Sequence, residues 1–300
     1  MVHELFSNIV DYAGLFPPAG LPLDKVVSNY ENYLDSKHRW MLARLILPAG
    51  KLTEFEQLPT FAQSTQRWQI SALIPPFDAP NNGFESALST INEFNARHTN
   101  KAVVDAIEVK APTVSAINDT ISKLPATIDG FLEIPHKEDP SELIVALKAA
   151  SQGNAFAKIR TGGVTQDLIP DSTQVARFIR ACAEHDVGFK ATAGLHHPLR
   201  GDYRLTYDAD PDMGTMFGFA NVFIAACFAF ANNADADNLA SILTTSDASQ
   251  FEVTESGITW NSQTVTAAAA AEIRKNKATS FGSCSFEEPT AELAELGWIE

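Results

Sequence analysis

Two lysines in this chain occupy positions where lysine is costly. Lys158 lies in AFAKIRTGG and Lys190 in VGFKATAG, each in the middle of a run that reads as a buried β-strand ending in glycine. Taking an ammonium out of water is unfavourable unless its charge is paired or the group is held neutral. Desolvation and a neighbouring cation both lower a lysine's pKa and leave a fraction as free amine. A free amine attacks a carbonyl carbon and forms an iminium, an electron sink for making or breaking the adjacent carbon–carbon bond. Lys158 as nucleophile, with Lys190 supplying the depressing charge, is the chemistry these strands point to. Glu108 is a candidate proton shuttle, directly or through water.

Side chains alternate sides along a strand, so polar residues two apart share a face. Glu108 and Lys110 are two apart in VVDAIEVK, as are Lys158 and Arg160, and Lys190 and Thr192; Glu133 sits near the end of GFLEI. The residues between them, among them Ile107, Val109, Leu132, Ile159 and Phe189, are apolar and suit a helix-facing side. Glu108, Lys110, Glu133, Lys158, Arg160 and Lys190 are therefore expected on the inner face, toward the strand ends. Four cations facing two anions, in a chain of net charge −15, point to a small anionic ligand such as a carboxylate or phosphate ester. The plainer alternative pairs Glu108 with Lys110 and Glu133 with Arg160 as a structural plug.

The elements that must hold these residues alternate between short β-type runs and helical stretches. Strands are expected over 8–12, 41–47, 68–74, 103–109, 130–134, 156–161 and 187–192. Helices are expected over 23–36, 52–63, 83–97, 113–124, 140–151 and 172–184. Pro48, Pro75, Pro125 and Pro135 mark stops. Strands separated by helices pair in parallel, because each return must cross over. Seven or eight such units in 300 residues favour an α/β fold of the (β/α)8 TIM-barrel type, one domain over 1–300, rather than an open doubly wound sheet. The rhythm breaks after strand seven. Residues 201–278 read as a long insertion between strands seven and eight: a polar Asp-rich loop, an apolar helix near 217–232, a small hairpin about Glu255–Gly257 and an Ala-rich helix over 264–277. Strand eight is expected over 279–284, and a closing helix over 290–296.

The formal charge of −15 argues against general binding to nucleic acid or anionic membranes. The most apolar segment, Gly218–Ala231, is too short to span a bilayer and reads as core, with self-association into a homo-oligomer as the other use of such a helix. The N-terminal MVHELFSNIVDYAG lacks the pattern of a secretory signal. Three widely spaced cysteines, Cys182, Cys227 and Cys284, suit a reducing cytoplasm better than a disulfide framework or zinc site. Cys284 itself reads as a small apolar residue near the mouth.

The stretch 155–194 resembles deoxyribose-phosphate aldolase and its relatives among the class I, Schiff-base aldolases. That family's K-x-x-T-G is met by Lys158-Ile-Arg-Thr161-Gly162, and its second-lysine motif by Gly188-Phe-Lys190-Ala-Thr-Ala-Gly194. The family's strand-four Asp falls on Glu108, its N-terminal Asp on Asp11 of IVDYAGL, and its last-strand F-G-x-S-S on Phe281-Gly282-Ser283-Cys284-Ser285. Arg160 stands where the family has a small residue, Ala193 where it has a glycine, and His196 where an arginine is common. The resemblance implies a barrel without cofactor in which Lys158, Lys190, Glu108 and Asp11 are catalytic. Substrate contacts are expected from Arg160, Lys110, Glu133, Thr161, Gly162, Gly163, Thr192, Gly194, His196, Gly282 and Ser283, with a small anionic carbonyl compound as substrate.

Two further readings stand beside this one. His196 and His197, just past strand seven, with Glu108 and Glu133, would make a divalent-metal site of a TIM-barrel lyase, isomerase or hydrolase, although no compact ligand spacing such as H-E-x-x-H occurs. The third is a non-catalytic barrel that binds or scaffolds; it requires each lysine paired with a glutamate and no open pocket at the strand ends.

Overall fold

The first seven expected strands are short runs rich in β-branched and apolar residues that end close to proline or glycine, and with an eighth near the C-terminus they close on one another. In the computed structural model, which describes residues 2–300, the strands are β1 (Val10–Tyr12), β2 (Leu42–Pro48), β3 (Trp68–Leu73), β4 (Ala102–Lys110), β5 (Asp129–Glu133), β6 (Ala155–Arg160) and β7 (Phe189–Thr192). After β7 come a two-stranded hairpin, β8 (Gly201–Arg204) and β9 (Met213–Met216), and a three-stranded sheet, β10 (Glu252–Thr254), β11 (Gly257–Trp260) and β12 (Gln263–Thr266). The last strand, β13 (Ala278–Ser283), pairs in parallel with both β7 and β1 and closes the barrel. The open-sheet alternative is thereby excluded, and the parallel strands with interleaved helices are those of a TIM barrel.

Residues 193–277 connect β7 to β13 and take two roles. The hairpin β8–β9 lies over the C-terminal mouth. The helix Phe219–Asn232 instead packs into the barrel wall, with every residue from Phe219 to Ala229 buried. Its Phe219 ring stacks on Phe281 of β13 at 4.9 Å, and Phe223 lies 6.0 Å from the same ring. This apolar helix is therefore core of its own chain. Buried apolar surface contributes about 25 cal/mol per Å², so this packing helps to hold β13 in place.

Local chemistry explains where the elements depart from expectation. The helix expected over 52–63 is two, Leu52–Glu56 and Pro59–Gln63. Pro59 forces the preceding Leu58 out of the helical region, to φ −71° and ψ 133°. The Ala-rich helix begins only at Ala267, because Thr264, Val265 and Thr266 extend as β12 and the Thr266 side chain caps the helix at the Ala269 N–H. Soon after the apolar helix the chain enters another, Ala236–Thr244, capped by Asp235. Its apolar Leu239, Ile242 and Leu243 are buried.

Candidate active site

Strand register brings the charged residues together. Lys158 of β6 is the cross-strand partner of both Glu133 on β5 and Lys190 on β7. Glu108 enters from β4, and Asp11 from β1 on the far side of the barrel. Glu108 Oε2 lies 2.8 Å from Lys158 Nζ, and its Oε1 lies 2.7 Å from Lys190 Nζ. Ser71 Oγ also donates to Oε1, at 2.8 Å. Lys158 has a second carboxylate, Glu133 Oε2, at 2.9 Å. Lys190 has Asp11 Oδ2 at 2.5 Å, and that oxygen also accepts from Ser280 Oγ at 2.7 Å. The other Asp11 oxygen accepts the Arg44 backbone N–H at 2.9 Å. Beneath Lys190 lies the face of Phe131, 5.0 Å from Nζ.

The two lysines differ in what they reach. Lys190 is 0% exposed and Lys158 5%. Only Lys158 borders the cavity at the C-terminal mouth, a space of about 990 Å³ at the upper end of ligand pockets of about 300–1,000 Å³. Burial acts to raise the pKa of Glu108, but the Lys158 and Lys190 ammoniums beside it prevail and hold it well below the usual carboxylate range. Burial acts to lower Lys158, and the Glu108 and Glu133 carboxylates again prevail, so its pKa is raised. This corrects the expectation that Lys190 depresses Lys158. The shared carboxylate stands between the two ammoniums, and Glu133 adds a second anion against Lys158 alone. In the resting site Lys158 is an ammonium.

The balance of charge is corrected as well. In the barrel interior three carboxylates, Asp11, Glu108 and Glu133, face two ammoniums. Lys110 and Arg160 share the inner-face parity of Glu108 and Lys158, but they end their strands, so their side chains emerge exposed at the rim instead of lying inside. Both line the cavity, as does Arg204 from the hairpin. None of these three cations has an ion-pair or hydrogen-bond partner among the described residues. The acids nearby are engaged: Glu108 and Glu133 by lysine, Glu288 by His196 and Tyr207, and Asp202 by Thr215. Free positive charge thus lies at the mouth.

Other expected residues divide between cavity and scaffold. Gly163, Thr192, Gly194, His196 and Gly282 line the cavity. Thr161 does not; its hydroxyl donates to the Thr192 and Ala193 carbonyls at 3.2 and 2.8 Å and stitches the ends of β6 and β7. Gly162 does not line the cavity either; it packs backbone to backbone against Gly194, where a Cβ would come within 2.8 Å of the Gly194 Cα, and so spaces the two loops. Ser283 is buried, and its hydroxyl accepts the Ser285 N–H at 3.3 Å. Asp11 is fully buried behind Lys190, pairs with it and does not line the cavity. Ala193, which stands where the resembled motif has a glycine, keeps a left-handed backbone, φ 64°.

The metal arrangement does not assemble. His196 Nδ1 pairs with Glu288 at 3.0 Å and His197 Nδ1 with Glu292 at 2.7 Å, both acids from the C-terminal helix Glu287–Glu295 and not from β4 or β5. Among the described residues no three His, Cys, Asp or Glu side chains converge as a metal-holding group. Sequence reasoning missed the hairpin residues Tyr203, Arg204 and Tyr207, which reach the cavity from a stretch read as a solvated loop. It also missed Ser71 and Ser280. Their signal was present: a serine at an inward position of an apolar strand needs a polar partner inside the barrel.

No helix among the described residues is long and apolar enough to cross a membrane. The chain matches no family model and no curated protein.

Proposed function

We propose that this barrel is a Schiff-base lyase of the class I aldolase type, acting on a small anionic carbonyl compound. The observation that carries the reading is Lys158: a lysine buried in the barrel whose amine borders a ligand-sized cavity, with two carboxylates in contact. Lys110, Arg160 and Arg204 would draw the anionic group to the mouth. The arrangement of two lysines about one strand-four carboxylate accords with the resemblance to deoxyribose-phosphate aldolase, and a cytoplasmic setting accords with three free cysteines.

In this reading Glu133, 2.9 Å from Nζ and on the cavity wall, takes the ammonium proton as the carbonyl arrives. The amine attacks the carbonyl carbon; the carbinolamine loses water with that proton returned to its oxygen; the iminium accepts the electron pair when the neighbouring carbon–carbon bond breaks. Glu108 serves the next proton transfer. Lys190, out of reach of the substrate, keeps Glu108 ionised and fixed, and Asp11 fixes Lys190.

The resting ion pairs also suit a non-catalytic barrel, which was expected to carry such pairs. That reading required no open pocket at the strand ends, and the cavity above Lys158 speaks against it. The test is aldehyde release from a panel of small β-hydroxy carbonyl acids and phosphate esters. Wild-type protein releases aldehyde and Lys158→Met does not; release that persists in Lys158→Met overturns the assignment.

A further inference from the structure

Across the mouth from Lys158, a second group of reactive side chains reaches the same cavity. Cys284 directly follows β13 and lines the cavity. Its Sγ lies 3.9 Å from both ring nitrogens of His196. His196 Nδ1 lies 3.0 Å from Glu288 Oε2, and Tyr207 Oη donates to the same oxygen at 2.8 Å while sitting 3.7 Å from the sulfur. An ionised carboxylate only accepts, so Nδ1 must carry the hydrogen, which leaves Nε2, 3.9 Å from the sulfur, as the ring's acceptor. Thiol, imidazole and orienting carboxylate are the parts of an activated nucleophile. The other two cysteines have none of this. Cys182 and Cys227 lie in the apolar core, where burial raises both thiols, Cys227 to about 12.

The geometry points to Cys284 as a nucleophilic thiol site that takes small, negatively charged carbon electrophiles entering the cavity. The free cations Lys110, Arg160 and Arg204 line the same cavity and select for the charge. In the step itself the sulfur forms a bond to the electrophilic carbon, the leaving group departs with its electron pair, and the thiol proton passes to His196 Nε2 and then to solvent. Burial acts to lower His196, but its contacts with Cys284 and Glu288 raise it to about 9, which favours the protonated ring that this transfer produces. A substituent on Cys284 would occupy the cavity beside His196 and close the mouth to other ligands. The site uses none of the Lys158 chemistry and stands or falls separately from it.

The test is labelling of the folded protein with limiting iodoacetate, and in parallel with neutral iodoacetamide, read by peptide mass at each cysteine. Cys284 is expected to label about tenfold or more faster than Cys182 and Cys227, with iodoacetate at least as fast as iodoacetamide. His196→Asn is expected to slow labelling at Cys284 by about tenfold or more, a conservative bound beside the roughly 10²–10⁴-fold of a positioned base. Glu288→Gln is expected to slow it less, and carries this arm if His196→Asn does not fold by circular dichroism. Cys284 labelling no faster than the two core cysteines, or at a rate indifferent to His196 and Glu288, would overturn the proposal.

Discussion

Lys158 and Lys190 sit side by side on β6 and β7, and Glu108 gives one carboxylate oxygen to each, at 2.8 and 2.7 Å. Two ammoniums on adjacent strands would repel strongly at low dielectric, and a shared anion turns that repulsion into two attractive pairs. The arrangement leaves the lysines unequal. Lys190 is enclosed by Glu108, Asp11 and Phe131, whereas Lys158 has its remaining side open to the cavity.

That inequality separates the two lysines in a stability experiment. Lys190→Met leaves Asp11 without its ammonium and Glu108 with one fewer, both buried, and removal of one partner from such a group costs about 3–5 kcal/mol. Lys158→Met leaves Glu108 still paired with Lys190 and Glu133 partly exposed to water, so the loss is smaller. Urea unfolding of both variants is the check, with the midpoint falling further for Lys190→Met. Equal midpoints would mean that the two ammoniums are equally enclosed.

The pH dependence has a definite sign. Glu108 is lowered on folding, so its contribution is present above the ordinary carboxylate pKa of about 4.3 and is lost as pH falls through its folded value. Lys158 is raised, so its contribution is present below about 10.4 and is lost as pH rises through its folded value. The network is at full strength between these limits. An ordinary lysine at pH 7 is free amine in only about one molecule in 2,500, and a raised one in fewer. Schiff-base formation should therefore climb about tenfold per pH unit from pH 7 to 9, with no plateau. A plateau near neutrality would mean a depressed amine.

The rim cations give a third outcome. Arg160 and Lys110 are exposed and have no partners to lose, so Arg160→Ala and Lys110→Ala should shift stability by less than about 0.5 kcal/mol. Each removes a charged contact to an anionic ligand, worth about 1.5–3 kcal/mol, and should raise KM about tenfold or more with kcat little changed. Thermal melts with steady-state kinetics on one anionic and one neutral carbonyl substrate check this; an equal loss for both substrates would contradict it.

The barrel was legible in the sequence because its first seven strands are short, mostly apolar and end close to proline or glycine, and because period-two alternation marked Glu108, Lys158 and Lys190 as sharing a face. The pairing among them was not legible. Alternation says which side of a strand a residue faces, but neither how far along the barrel axis it lies nor who stands opposite. Glu108 and Asp11 come from strands on different sides of the barrel and meet at Lys190 only after closure. For the same reason Lys110 and Arg160, correct in parity, lie one layer too high to be interior. The hairpin escaped notice because its residues are polar and its cavity-facing Tyr203, Leu205 and Tyr207 carry no strand-like run. The partners of His196 and His197 lie about ninety residues away on the last helix, beyond the reach of any local spacing rule.

The most direct test is borohydride reduction of the protein in the presence of small anionic aldehydes and keto acids, followed by peptide mass mapping. The account predicts a stable added mass on Lys158, more of it at pH 9 than at pH 7, and none on Lys190. An adduct on Lys190, or no adduct on Lys158 with any carbonyl tried at either pH, would contradict it.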